Sequence, residues 1–262
     1  MFSYGTTRFN LATQALLTLL CGLMLVPLAY TVDTSLQRGG LGNYKTVLTN
    51  PNFPRFFLNS LLVTASATVL VVAVSLPAAY GVSRLKLPGG QIMYVAMLLG
   101  LMVPTSALIV PLLVEVKRWG LLNDYLALVI PYAALLTPFT MLLCRSFIDH
   151  LPNELFEASL IDGCSRRETL MHLVVPLSGP IVAVCSIWSV LFCWNEFFLA
   201  NLFMQSPSMQ TITQAPSYYV GVYTVDIPKV FTSLVLISVP VVLFYLSLQR
   251  SFLRAVTAGA SK

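Results

Sequence analysis

Ionisable side chains are scarce in this chain, and many of them gather in one place. Within EASLIDGCSRRETLMHLVVPLSGP, residues 157 to 180, Glu157, Asp162, Arg166, Arg167 and Glu168 fall in twelve consecutive positions. The chemistry on offer there is helix capping and charge-mediated contact. Catalysis inside a membrane would ask for paired His, Asp or Ser/Lys groups within the apolar segments. The two histidines, His150 and His172, instead flank the polar insert. No GxxxxGK[ST] phosphate loop occurs. The five cysteines show neither a metal-ligand spacing nor a disulfide framework, and Cys185 and Cys193, eight apart on one helical pattern, read as packing residues.

The elements around this insert are apolar. Of 262 residues, 57% are hydrophobic and 10% charged, against roughly 25% charged in a soluble domain. Six stretches free of Asp, Glu, Lys and Arg (9–32, 56–83, 87–114, 125–144, 173–195 and 230–249) are long enough to cross a bilayer as helices, which takes about 20 residues. The alternation of barrel strands is missing, and lipid leaves no third option. The expected fold is an all-α membrane protein with six transmembrane helices, near 10–32, 58–82, 90–114, 122–144, 175–200 and 230–249. The first is too long for a signal-peptide core and is expected to stay as an anchor. Residues 201–229 are expected to form a loop, because QSPSMQTITQAPS would bury too many side-chain polar groups.

Lysine and arginine orient these spans. With the N-terminus inside, Arg8, Arg84, Lys86, Arg145, Arg166, Arg167, Arg250, Arg254 and Lys262 lie in inner segments. Arg38, Lys45, Arg55, Lys117, Arg118 and Lys229 lie outside. The excess favours cytoplasmic termini and a cytoplasmic insert, residues 152–175. The net charge of +5 fits that arrangement, and no basic patch for nucleic acid is visible.

The insert reads as helix, glycine elbow, helix. Pro152 suits a helix start, with Glu154 and Glu157 toward the positive end of its dipole. Gly163 stands where a left-handed stop needs glycine. Ser165 and Glu168 have the capping-box spacing, and the second helix is expected to run through Pro176 and Pro180 into the membrane. Small Ala158 and Ser159 beside Phe156 and Leu160 suit a docked helix as well as a plain loop.

The pattern Glu157-Ala158-Ser159, three residues, Gly163, nine residues, Leu173-Val174-Val175-Pro176 resembles the E-A-A…G…I-x-L-P loop of inner-membrane components of binding-protein-dependent ABC importers. Ser159, Leu173 and Val175 depart from it conservatively. RFFLNSLLVT, YGVSRLKLPGG, WNEFFLANLF and AVTAGASK, with Ala255 where glycine is usual, resemble the carbohydrate-uptake branch, in particular the second of its two permease subunits. The resemblance implies a sugar-import permease of a bacterial or archaeal cytoplasmic membrane, forming half of the translocation pathway and not itself an enzyme. It implies a second permease subunit, two copies of an ATP-binding subunit and an extracytoplasmic solute-binding protein as partners. No cofactor is expected in this chain, because ATP and Mg would be held by the ATPase subunits. The short helix would be a coupling helix, with Glu157, Ala158, Ser159, Asp162, Gly163, Leu173 and Pro176 as its site.

Almost no charge lies within the spans, which argues against an ion-coupled carrier. WNEF is the exception. Asn195, nineteen residues beyond Pro176, is expected roughly 28 Å deeper, near the outer interface. Trp194, Asn195 and Glu196 are therefore candidates for the path or its outer gate, or for interfacial hydrogen bonding. Tyr218, Tyr219 and Tyr223 suit contact with the binding protein, carbohydrate stacking or an interface belt. Prolines at 27, 77, 104, 111, 131, 138 and 240 are expected to bend their helices. A non-sugar solute such as a glycerol phosphate or polyol derivative is the nearest alternative, and a stand-alone channel would leave the insert unexplained.

Overall fold

The computed structural model describes residues 7–260, with side chains of 7–10, 12 and 248–260 excluded. Arg8, Arg250, Arg254 and Lys262, used above for orientation, and all of AVTAGASK therefore fall outside the described side chains. The described chain is all-helical apart from one isolated β-bridge, Val220 with Val225. Four helices are long and apolar enough to cross a membrane, or up to six if each of two sharply bent pairs counts as one span.

The chain forms two compact units. The first comprises 1–50 and 215–239, the second 51–214 and 240–262. In the first unit, α1 (Thr7–Leu36) and α2 (Leu41–Leu48) meet at a tight glycine turn. Asn43 Nδ2 donates to the carbonyls of Ser35 (2.9 Å) and Gln37 (3.0 Å). A Cβ on Gly39 would stand 2.3 Å from Asn43 Oδ1, so a side chain there would push the Asn43 amide off its two carbonyls. The Thr232 hydroxyl donates to the Ser35 carbonyl at 3.2 Å, and Tyr30 meets Phe231 edge-on at 6.0 Å.

The second unit is organised by α3 (Phe53–Ser83) packed along α6 (Leu126–Asp149). Pro54 supplies the start of α3. Small side chains recur on the buried face of α3 at Ser60, Thr64, Ala67, Ser75 and Ala79, and on α6 at Ala127, Ala133, Thr137, Thr140 and Cys144. Small residues let two backbones approach closely where lipid offers no hydrophobic driving force. Two apolar clusters result. One joins Val63, Ala67 and Val71 to Tyr132, Leu136, Cys193 and Phe203, and the other joins Leu76, Tyr80 and Tyr94 to Met141, Cys144, Ile148 and Cys185. Cys144, Cys185 and Cys193 are buried packing residues.

Two expected spans are broken. The segment expected as one helix over 90–114 is α4 (Gly90–Gly100) and α5 (Thr105–Arg118), bent by 104°. Pro104 adopts extended backbone before α5, and proline disfavours helix in the residue ahead of it. The insert's second helix does not run straight through Pro176 and Pro180. It is α8 (Arg166–Leu177), with a π-helical turn over Thr169–Val174, followed after a 73° bend at Ser178 by α9 (Gly179–Asn195). Asn195 therefore lies about 25 Å along α9 from Gly179 rather than the depth expected from Pro176. By contrast Pro131 and Pro138 stay inside α6, and Pro240 inside α11 (Ile227–Ala260). Two short helices, α7 (Asn153–Ile161) and α10 (Phe198–Phe203), precede α8 and follow α9.

The segment expected as a loop over 201–229 is more ordered than that. It includes the end of α10 and a 3₁₀ turn at Ile212–Tyr219, and it buries Thr211, Ile212 and Gln214.

Candidate functional site

The polar insert has the local geometry its residues dictate. Pro152 is extended before α7. At the other end Gly163 has φ +75°, and the N–H groups of Gly163 and Cys164 donate to Leu160 O (3.1 Å) and Ser159 O (3.0 Å). Those are the two bonds of a Schellman stop, which glycine's lack of a Cβ makes cheap. Ser165 then caps α8. Its N–H donates to Glu168 Oε2 at 2.7 Å, and Glu168 N–H donates back to its hydroxyl at 3.3 Å. The Ser165 hydroxyl first, and its N–H second, hold the Glu168 carboxyl below its ordinary range.

The faces of α7 divide cleanly. Glu157, Ala158 and Asp162 are exposed, and so are Leu160 (70%) and Ile161 (86%). Phe156 and Ser159 face the protein. The Ser159 hydroxyl donates to Phe156 O at 2.8 Å and lies 3.3 Å from the hydroxyl of buried Thr169 in the π-turn. The departure from alanine at 159 thus ties the two helices of the elbow together. Leu173 is half-buried and Pro176 exposed, while Val174 between them enters the inner cluster.

One residue of this region was missed by sequence reasoning. Arg84, just past α3, donates through Nη2 to Ile148 O (2.6 Å) and Leu151 O (2.7 Å), and through Nη1 to Asn153 Oδ1 (2.5 Å). Its guanidinium carbon lies 4.3 Å from the Phe156 ring centroid. Beside it the Ser83 hydroxyl donates to Asp149, and Arg145 pairs with Asp149 at 3.5 Å. A basic residue at a helix end, in a segment already noted as family-like, was the available signal.

At the opposite end of α9, Trp194 is buried and meets Phe57 edge-on at 5.6 Å. Asn195 is exposed, and its amide donates to Leu191 O at 2.8 Å. Glu196 collects three donors: Tyr132 Oη (2.7 Å), Leu199 N–H (2.9 Å) and Ala200 N–H (3.0 Å). It thereby satisfies the free amides that open α10. Asn59 and Ser60 of α3 bind the segment beyond, through Ser208 O, Gln210 O and Ile212 N–H, at 2.8–3.0 Å.

The tyrosines lie on the 3₁₀ turn and the small hairpin after it. Gly221 N–H donates to Thr224 O (2.8 Å) and Asp226 N–H to Tyr219 O (2.9 Å). Tyr223 stands at the tip, 96% exposed, beside Val222, whereas Tyr219 is half-buried. The Lys229 ammonium, 2.6 Å from Asp226, holds that carboxyl below its ordinary range.

The α4–α5 bend also opens a cavity of about 560 Å³, lined by Leu101, Thr105 and Leu108 with Phe139, Trp188 and Phe192. Its walls are apolar and aromatic. The aromatic pair Phe139 and Trp188 lies at 5.3 Å.

Long apolar helices, two of them broken, together with one polar helix–elbow–helix, define a multi-span membrane transport component. The chain belongs to the family of binding-protein-dependent transport system inner membrane components, whose model matches residues 72–258. It is 32% identical to the diacetylchitobiose uptake system permease protein NgcG of Streptomyces coelicolor, covering 96% of this chain and 89% of that one. It is 33% identical to the trehalose/maltose transport system permease protein MalG of Thermococcus litoralis, covering 85% and 81%. Among solved structures it resembles a chain of a bacterial ABC transporter involved in the import of the acidic polysaccharide alginate. The TM-score is 0.84, with 96% and 100% covered, and at 18% identity the likeness is one of fold.

Proposed function

We propose that this chain is a permease subunit of an ATP-driven ABC sugar importer, one of two that together line the solute path. In this reading α4 with α5 makes one span and α9, entered from the cytoplasmic α8, makes another, so six spans cross a bacterial or archaeal cytoplasmic membrane with both termini inside. The observation that carries it is α7, a short helix with exposed Glu157, Leu160 and Ile161, closed by the Gly163 stop and the Ser165 box. A helix that shows apolar side chains to water at a fixed angle is built to dock. The partner is an ATP-binding subunit, present in two copies, which holds ATP and Mg; this chain itself needs no cofactor and performs no hydrolysis.

Sugar as the solute is supported by the relatives, whose names specify diacetylchitobiose and trehalose or maltose. It is also supported by the aromatic walls at Phe139, Trp188 and Phe192, which suit the apolar faces of sugar rings. Trp194, Asn195 and Glu196 belong in this reading to the outer end of the path, with Glu196 as its structural brace. Tyr218, Tyr219 and Tyr223 are assigned to contact with the extracytoplasmic solute-binding protein.

The test is affinity purification of the tagged chain from its native membrane, followed by reconstitution. An ATP-binding subunit and a second permease are expected to copurify, and labelled maltose or diacetylchitobiose to enter vesicles only with ATP and the binding protein. Solute movement by this chain alone, without ATP, would overturn the proposal.

A further inference from the structure

Arg84 gathers three helices on one guanidinium. It ends α3, its N–H donating to Tyr80 O at 2.9 Å. Its Nη2 holds the carbonyls of Ile148 and Leu151 at the end of α6, where the last C=O groups of a helix lack partners within it. Its Nη1 holds Asn153, the first residue of α7, and its flat face covers Phe156 one turn later. Tyr80 of α3 stacks on the same ring, with centroids 6.5 Å apart and planes 18° apart. A planar fork of donors with a face that stacks on aromatic rings is specific to arginine.

The other connection from α7 inward is less direct. It passes the Gly163 elbow, a π-helical turn and the 73° bend at Ser178 before it reaches α9. Each of these departs from a straight, continuous α-helix. Helix α3 has no such break over its 31 residues and packs along α6 for much of that length.

We infer that Arg84 is a positioning residue that fastens the coupling helix to α3, so that a push on α7 enters the membrane helices through α3 and α6 as well as through α8. This inference rests on the function proposed above. It makes α7, the end of α6 and the end of α3 one mechanical body. The elbow and α8 then form a second, indirect arm beside it.

Two spin labels read the joint directly, at Glu154→Cys on α7 and at Val69→Cys on α3, where Val69 is exposed. The five native cysteines are replaced, and the transporter is held in lipid. In the parent, electron–electron resonance is expected to give one narrow distance, the same without nucleotide and with ADP and vanadate trapped. Asn153→Ala with Phe156→Leu releases α7 but leaves Arg84 on the carbonyls of α6. That pair is expected to fold, to broaden the distribution, and to make it differ between the two states. Arg84→Gln should broaden it at least as much, and Arg84→Lys, which keeps the charge but not the fork, should fall between.

The inference is overturned if the parent distance changes between states, or if the double substitution stays as narrow and invariant as the parent. Should no ATP-binding subunit copurify, the proposed function falls separately. The nucleotide-free comparison of the parent with the double substitution still decides the joint.

Discussion

The Tyr132 hydroxyl donates a 2.7 Å hydrogen bond to Glu196 Oε2, joining the first third of α6 to the turn between α9 and α10. Tyr132 is fully buried, so its hydroxyl has no water to fall back on. Glu196→Ala is expected to destabilise the fold by about 1–3 kcal/mol, the cost of a buried donor left alone. Tyr132→Phe should cost less, because Leu199 and Ala200 still satisfy the carboxylate. Thermal unfolding in detergent checks the order. A larger loss for Tyr132→Phe would show that Glu196 is not a brace.

Gly163 meets nothing within 4 Å of a Cβ built on it, so a substitution there is opposed by backbone conformation alone. At φ +75° a β-branched residue costs about 1–2 kcal/mol, while asparagine tolerates the left-handed region. Gly163→Val is expected to impair coupled ATP hydrolysis strongly, with Gly163→Asn and Cys164→Val close to the parent. Equal effects of all three on vesicle ATPase activity would remove the elbow from the mechanism.

Glu157 is exposed on α7 with no ion-pair partner among the described residues, which leaves its carboxylate available to a docked subunit. Glu157→Lys should keep the permease in the membrane and paired with its sister. It should weaken the ATP-binding subunit by about 1–3 kcal/mol, between the values for an exposed and a desolvated ion pair. Retention of that subunit through salt washes reads the effect. Full retention and full ATPase stimulation would refute the docking role.

Cys164 follows the elbow and is part-exposed. With the other four cysteines replaced, a membrane-impermeant thiol reagent is expected to miss it in intact cells and label it in inside-out vesicles. Labelling from outside would reverse the orientation.

The insert was legible because its chemistry is local. Gly163, Ser165 and Glu168 act on their own neighbours three to five residues away, and spacing alone reports that. The breaks at Pro104 and Ser178 were not, since proline does not by itself decide a bend. Pro131 and Pro138 sit inside a continuous α6, while Pro104, four residues after the end of α4, stands in extended backbone ahead of α5. The outcome depends on what packs around the freed carbonyls, which no window of sequence contains. Arg84 was hidden for the same reason: its carbonyl partners lie 64 to 67 residues away along the chain. Residues 201–229 read as a loop because their polar groups looked unpaired, yet Asn59 and Ser60 supply partners from α3.

The right-angle break between α4 and α5 is also a way of disposing of surplus length. Drawn out straight, Gly90 to Arg118 would make a rod of roughly 43 Å, well beyond a hydrocarbon layer of about 30 Å. A straight rod would have to tilt steeply or thicken the bilayer around it. Folding at Leu101–Pro104 shortens that reach, and the residues on either side of the bend become the wall of a chamber instead of a continuous stalk.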